Sequence, residues 1–503
     1  MLLLGIDIGT SSVKASVVDA ATQLCIASAQ YPVTENEIIS KQNGWAEQSP
    51  EMWWQQVQQV ILKVNAQNLY NPKDIKAIGI AYQMHGLVCI DKNKNVLRDS
   101  IIWCDSRAVS IGNKAFQEIG EEKCLNHLLN SPGNFTASKL AWVKENEPEI
   151  FDKIDKIMLP GDFIAMKLTG EITTTVSALS EGVFWDFKHN ELSKDVFNYY
   201  GFNSSIIPQI KNVFSEHGLL CESIAQQLSL TKNIPVTYKA GDQPNNALSL
   251  NVLQAGEVAA TAGTSGVIYG VSDELTYDKK SRVNSFAHVN HQSPSTLERV
   301  RGEANIGVLL CINGTGILNK WIKNITGNQY SYQQINELAY NVDAGSNGLM
   351  MLPFGNGSER MLENKMINSC IHNINFNIHT TAHLYRAAQE GIAFAFRYGL
   401  DIMRENGMNP KVIRAGKANM FLSEVFTESF VNITDVPVEL YHCDGSVGAA
   451  LGAGIGAGIF ENPAAAFSNI KPIKLVQPTQ TNLYNELYEQ WKKLLEKQLN
   501  NQV

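Results

Sequence analysis

Leu2-Leu3-Leu4-Gly5-Ile6-Asp7-Ile8-Gly9-Thr10-Ser11-Ser12-Val13-Lys14-Ala15-Ser16-Val17-Val18 opens the chain with an apolar run, a turn of small polar residues and a second apolar run. A strand, a tight turn and a second strand fit that order. The same order returns half a chain later. Residues 258–262 are apolar, Gly263-Thr264-Ser265-Gly266-Val267 supplies the turn, and residues 268–271 are apolar again. Two copies at this distance predict two related domains, each opening with one hairpin. A chance match over five residues is the rival explanation.

Around these hairpins, strand and helix patterns alternate. Residues 75–82 form an apolar, β-rich run, and residues 234–240 form another. Residues 51–64 have helical periodicity entered through Ser49-Pro50, and residues 383–405 carry a long helical pattern closed by Gly407 and Pro410. Such alternation predicts an α/β fold. At 503 residues the chain is too long for one core, so two domains of roughly 250 residues each are expected. The boundary is placed near residues 248–256, as residues 1–248 and 249–503. No low-complexity linker marks it, which predicts a hinge helix and not a flexible tether.

Composition narrows the function. With 44% hydrophobic and 18% charged residues the chain is built to fold. A net charge of −8 does not attract nucleic acid or an anionic membrane, so neither is an expected partner. The first residues lack a basic leader and read as a strand, not a signal peptide. The longest apolar run near the end, 447–460, is too short for a bilayer. The eight cysteines are scattered without a Cys-x-x-Cys pair, which fits a reducing, cytoplasmic setting and gives no zinc site.

Several strand ends carry chemistry. Asp7 before Gly9, Thr10, Ser11 and Lys14 is a carboxylate beside a turn whose N–H groups and hydroxyls can meet phosphates; Asp7 can hold Mg²⁺. A plain hairpin turn is the equal alternative, and recurrence at Gly263-Thr264-Ser265-Gly266 favours phosphate. No Gly-x-x-x-x-Gly-Lys-Ser/Thr sequence occurs, so this is not a P-loop. Asp242 follows a strand and opens a helix; there it can accept a proton from a hydroxyl, but position alone favours a helix cap. Gln83-Met84-His85-Gly86 ends residues 75–82 with groups suited to sugar hydroxyls, although a lone histidine is more often structural. Trp103-Cys104-Asp105-Ser106-Arg107 combines an apolar face, an acceptor and a donor for a sugar, with a buried Trp beside a surface ion pair as the equal alternative. Residues 413–419, including Gly416 and Asn419, permit close approach of a ring or phosphate, and by themselves read as an ordinary strand–helix turn. Residues 444–453 form a small-residue helix for close packing, not a dinucleotide fingerprint.

Taken in order, these motifs resemble the FGGY carbohydrate kinase family, and within it the xylulokinase branch. Gly44-Trp45-Ala46-Glu47-Gln48 with Trp53-Trp54, Phe135-Thr136 with Lys139-Leu140 and Trp142, Leu159-Pro160-Gly161-Asp162, Gly357-Ser358-Glu359-Arg360 and His383-Leu384 through Glu390-Gly391 complete the likeness. It covers nearly the whole chain. The resemblance implies two actin-like (ribonuclease H-like) domains, the first for sugar and catalytic base, the second for nucleotide, with ATP and a small-molecule sugar between them. It implies that Asp242 is the base, that Asp7 and Asp242 bind Mg²⁺, and that Met84, His85, Trp103, Asp105 and Gln243 meet the sugar. Gly9, Thr10, Ser11, Lys14, Gly263, Thr264 and Ser265 would meet the ATP phosphates, and Gly416 and Asn419 the adenosine. The substrate it implies is D-xylulose, ahead of L-ribulose, L-fuculose, gluconate or glycerol; an actin-like ATPase without a sugar is the rival class. A homodimer and a contact of Glu181 with the sugar are further expectations. Arg414 and Ala415 stand where the family is richer in glycine, Gln243 where it has asparagine, and the stretch around Asn373 lacks an expected glycine.

Overall fold

In the computed structural model, which describes residues 1–292, 305–327 and 329–500, two mixed sheets organise the chain. The first contains β1 (Leu2–Ile8), β2 (Val13–Asp19), β3 (Cys25–Tyr31), β4 (Ile75–Tyr82), β5 (Phe214–Leu219) and β6 (Pro235–Gly241), in the spatial order β5-β6-β4-β1-β2-β3. The second contains β7 (Val258–Ala262), β8 (Gly266–Ser272), β9 (Asn284–Ala287), β10 (Ile306–Ile312), β11 (Ile413–Gly416), β12 (Val438–Tyr441) and β13 (Lys474–Val476), in the order β9-β10-β8-β7-β11-β12-β13.

The two sheets repeat one plan, that of two actin-like domains. β1 pairs antiparallel with β2 and parallel with β4, and β4 runs parallel to β6. Likewise β7 pairs antiparallel with β8 and parallel with β11, and β11 runs parallel to β12. The two Gly-Thr-Ser turns are therefore equivalent hairpin turns. β1 and β4 are nearly all buried, which suits central strands covered on both faces.

Helices follow from the same local rules. α1 (Pro50–Asn65) has Pro50 in its first turn and buries Trp53, Trp54, Val57, Val60, Ile61 and Val64, a stripe at helical spacing laid against β2 and β3. Further helices that matter for the site are α2 (Thr136–Asn146), α3 (Val176–Glu181), α4 (Asp242–Ser249), α5 (Gly316–Ile325), α6 (Thr381–Glu405) and α7 (Gly445–Gly456). Among the described residues no helix is long and apolar enough to cross a membrane, and all eight cysteines are unpaired.

Two features of the junction differ from the reading of the sequence. α4 ends at Ser249 and no helix spans residues 250–257, so the expected hinge helix stops where the junction begins. Leu250 and Asn251 close α4, and Asn251 takes a positive φ of 52°, which ends the helical run. More consequentially, α7 leaves its own half of the sequence and packs on β1, β4 and β6 of the first sheet. Glycines make this possible. A Cβ at Gly5 would lie 1.8 Å from the Ser446 carbonyl oxygen, and one at Gly79 would lie 1.9 Å from that of Ala449. No other side chain fits at either place. The small residues of α7 thus serve close packing, across the sequence boundary.

Candidate active site

Parallel pairing brings three chemical segments to one sheet edge. In register, Ile8 of β1 faces Tyr82 of β4, and Tyr82 faces Gly241 of β6. What leaves the carboxyl ends of these strands is Gly9-Thr10, Gln83-Met84-His85 and Asp242, with Asp7 one residue inside β1. Crevices beyond the carboxyl ends of parallel strands are where open α/β sheets bind ligands.

The loop after β4 is tied down on all sides. His85 has φ = +62°, a left-handed conformation rare for a residue with a Cβ. Its Nδ1–H donates to the Glu181 carbonyl oxygen at 3.0 Å, because a carbonyl can only accept. Its ring meets Phe135 at 4.9 Å between centroids and Phe286 of the second sheet at 5.5 Å. Burial, with Lys139 nearby, pushes the imidazole down to about 3. A neutral ring whose Nδ1 carries the proton presents Nε2 as a bare acceptor. The Lys139 ammonium donates to the carbonyls of His85 at 2.8 Å and Ile102 at 3.0 Å, joining the loop after β4 to the one carrying Trp103. Met84 is buried against Gly241: a Cβ at Gly241 would lie 2.6 Å from Met84 Cγ and 2.7 Å from Glu181 Oε2.

Trp103 and Asp105 reverse the alternative read from sequence. Trp103 is 51% exposed, and its indole N–H donates to Thr10 Oγ1 at 2.9 Å, which holds the ring beside the turn after β1. Thr10 in turn donates to Gln83 Oε1 at 2.9 Å. Asp105 is fully buried. Its Oδ2 accepts from the Ala46 N–H at 2.6 Å and from Arg107 at 2.7 Å, and Oδ1 accepts the Arg107 backbone N–H at 2.8 Å. The Arg107 guanidinium stacks 3.8 Å from the Trp45 ring centre and pairs with Glu47. Both oxygens of Asp105 are thus engaged in a brace inside the domain.

Asp7 and Asp242 form the acidic centre. Burial, with Asp444 beside it, raises Asp7 to about 6. Burial and the nearby charge of Asp7 raise Asp242 to about 7, against hydrogen bonds from the backbone and side chain of Gln243. Gln243 therefore touches the Asp242 carboxylate. Gly445, the first residue of α7, lies directly on Asp7: a Cβ there would be 2.3 Å from Asp7 Oδ2. Asn245 Nδ2 donates to the Gly445 carbonyl at 2.9 Å, and Lys14 pairs with Asp444 at 3.6 Å. Two carboxylates held high by burial and by neighbouring acids offer an all-oxygen donor set, which fits a hard divalent cation such as Mg²⁺.

The second half supplies a cavity of about 410 Å³, lined by Gly263, Thr264, Asn319, Tyr332, Asn419 and Met420 among others. Its size is in the range of small-molecule sites. The N-terminus of α5 docks on the turn after β7, with Gly316 N–H donating to the Gly263 carbonyl at 2.9 Å and Ile317 N–H to that of Thr264 at 3.1 Å. Of the expected nucleotide residues, Gly263, Thr264 and Asn419 line this cavity, whereas Ser265 and Gly416 do not. Gly416 instead approaches Cys443, whose thiol lies 3.6 Å from Asn246 Oδ1 of α4.

Residues 2–249 match the N-terminal domain and residues 258–459 the C-terminal domain of the FGGY family of carbohydrate kinases. The chain belongs to that family. It is a sugar kinase, and ATP is its co-substrate. The xylulose kinase of Bacillus subtilis (strain 168) is 28% identical over 98% of this chain and 97% of that protein. A crystal structure of a xyloylose kinase from Brucella ovis superposes with a TM-score of 0.86 at 25% identity over 98% of each chain. A gluconate kinase from Lactobacillus acidophilus gives the same TM-score at 20% identity, over 99% of this chain and 98% of that one. The fold is thus shared by kinases of different sugars.

In this FGGY kinase, reading along the sequence missed Asn319, Tyr332 and Asn336, which line the cavity from helices far from any motif. Thr315-Gly316, where a glycine enters a helix beside the turn at Gly263, is the one local signal that could have found them. The bracing role of Lys139 was also missed, since a lysine at helical spacing reads as solvent-exposed.

Proposed function

We propose that the chain transfers the γ-phosphoryl group of ATP to the C5 hydroxyl of D-xylulose, with Asp242 as the base. The observation that carries this reading is the meeting of Asp7, Met84, His85 and Asp242 at one sheet edge, in a chain whose second half carries a cavity of small-molecule size. The Gln83-Met84-His85-Gly86 segment and full-length relatives named xylulose kinase support D-xylulose over other sugars.

Asp242, held at about 7, is matched to taking a hydroxyl proton near neutrality. Gln243 orients its carboxylate. His85 Nε2 accepts from a second sugar hydroxyl, and Met84 and Trp103 cover the sugar's apolar faces. Gly263, Thr264 and Asn419 seat the nucleotide, while Gly9, Ser11 and Lys14 face its phosphates. Mg²⁺, which Asp7 and Asp242 would hold, supplies positive charge toward the phosphates when bound. Closure of the two halves about residues 250–257 excludes water, the competing nucleophile. Eight unpaired cysteines support a cytoplasmic location.

ADP release with Mg-ATP and a panel of ketopentoses, polyols and aldonates tests the reading. Release dependent on D-xylulose is expected. Release with L-ribulose, glycerol or gluconate in its place would refute the substrate, and sugar-independent release would refute the sugar-kinase mechanism itself.

A further inference from the structure

One buried acid has no task in the mechanism above. Glu181, the last residue of α3, is 1% exposed, and neither carboxyl oxygen has a hydrogen-bond partner. Its neighbours on the same helix are satisfied: Ser177 Oγ donates to the Ala287 carbonyl at 2.8 Å, and Ser180 Oγ both donates to Ser177 O at 2.8 Å and accepts the Ala287 N–H at 2.9 Å. Folded proteins rarely leave a buried carboxyl without a partner, because it gives up its hydration for nothing. A partner that arrives from solution resolves this.

The position of the carboxyl says what that partner is. Oε2 points at Gly241, beside Met84 Cγ and one residue before Asp242. The Glu181 carbonyl holds the His85 ring by accepting its Nδ1–H. Glu181 therefore stands in the wall that also presents Met84, His85 and the base. The nearby Lys139 does not serve it, since its ammonium is spent on two carbonyls. A carboxyl group offers oxygens that accept from a hydroxyl O–H, and where it carries a proton it can donate to the hydroxyl oxygen as well.

We propose that Glu181 is a specificity-determining residue of the sugar site, hydrogen-bonded through its side chain to a hydroxyl of an uncharged ketose or polyol and set against anionic sugars. The inference rests on the sugar-kinase reading and deepens it. An aldonate would bring a further carboxylate close to Asp7 and Asp242, setting like charges side by side.

The test uses the full-length protein with D-xylulose, glycerol and gluconate. Glu181→Met keeps the bulk and removes both hydrogen-bonding oxygens; it is expected to raise the KM for the sugar by about 10-fold or more while the KM for ATP stays within about 2-fold. The same variant should unfold at a higher temperature than the wild type, because an unpartnered buried carboxyl is gone. Glu181→Gln, which can still donate and accept, should hold the sugar KM within about 3-fold. If Glu181→Met fails to fold, Glu181→Asp withdraws the acid by one methylene and is read by the same KM split. An unchanged sugar KM, or a parallel rise of both KM values with lowered stability, overturns the inference. So does wild-type preference for gluconate. Preference for another neutral sugar refutes D-xylulose alone, and Glu181 is then judged on that sugar's KM.

Discussion

Asp242→Asn should make the protein more stable while it loses turnover, and the gain should depend on pH. Asp242 stands at about 7 in the folded chain against an ordinary value of 3.8. Folding therefore binds a proton more tightly at this group than the unfolded chain does. Its contribution to stability is full below 3.8 and is lost as pH rises through about 7. At about 1.36 kcal/mol per pK unit, keeping Asp242 ionised in the fold at pH 8 costs up to about 4 kcal/mol. Water that reaches the half-buried carboxylate reduces this, so about 2–4 kcal/mol is expected. Asparagine has the same shape and carries no charge. Urea unfolding at pH 8 should show the variant ahead by that amount, and at pH 5 the lead should shrink to about 1.5 kcal/mol or less, since the wild-type group is then mostly protonated. Turnover should fall by about 10²–10⁴. Equal stability gains at pH 5 and pH 8 would refute the electrostatic reasoning, and turnover within about 10-fold of wild type would remove Asp242 as the base.

Lys139→Met should raise the sugar KM by about 10-fold with little effect on the ATP KM, because two buried carbonyls lose their donor and the His85 and Trp103 loops come apart; steady-state kinetics in both substrates checks it. Gly79→Ala should destabilise the fold by about 2–3 kcal/mol in urea unfolding, since the new methyl meets the Ala449 carbonyl of α7; a change below about 0.5 kcal/mol would mean that α7 does not lie on β4 as described. His288 is buried, with Nε2–H donating to the Val252 carbonyl at 3.1 Å and Nδ1 accepting from the Tyr269 hydroxyl at 2.9 Å. Burial pushes it from 6.5 down to about 3, so its stabilisation is present above 6.5 and is lost as pH falls toward 3. His288→Gln should flatten the stability-versus-pH curve over that window by about 1.4 kcal/mol per pH unit; an unchanged slope would show that the histidine titrates normally in the fold.

Local order was legible because it is local. The strand at Ile75–Tyr82 and the hairpin at Val258–Ala262 and Gly266–Ser272 follow from apolar runs and small turn residues. α1 follows from its buried stripe after Ser49-Pro50. Asp7, His85 and Asp242 could be picked out as candidates, because each follows or ends an apolar run. Trp103 and Asp105 could not be sorted into exposed and buried. That depended on Ala46, Arg107 and Thr10 converging from other segments.

By itself, then, the sequence determined the alternation of strands and helices, the duplicated hairpin, and which residues stand at strand ends, since periodicity and turn chemistry act over a few residues. Tertiary structure alone decided which ends share an edge, how α7 crosses to the first sheet on Gly5 and Gly79, and which polar groups are buried. It placed Lys139 on two carbonyls and left Glu181 without a partner beside the base. Those outcomes depend on contacts between residues far apart in the chain, and burial sets both the charge of an acid and the cost of leaving it unpaired.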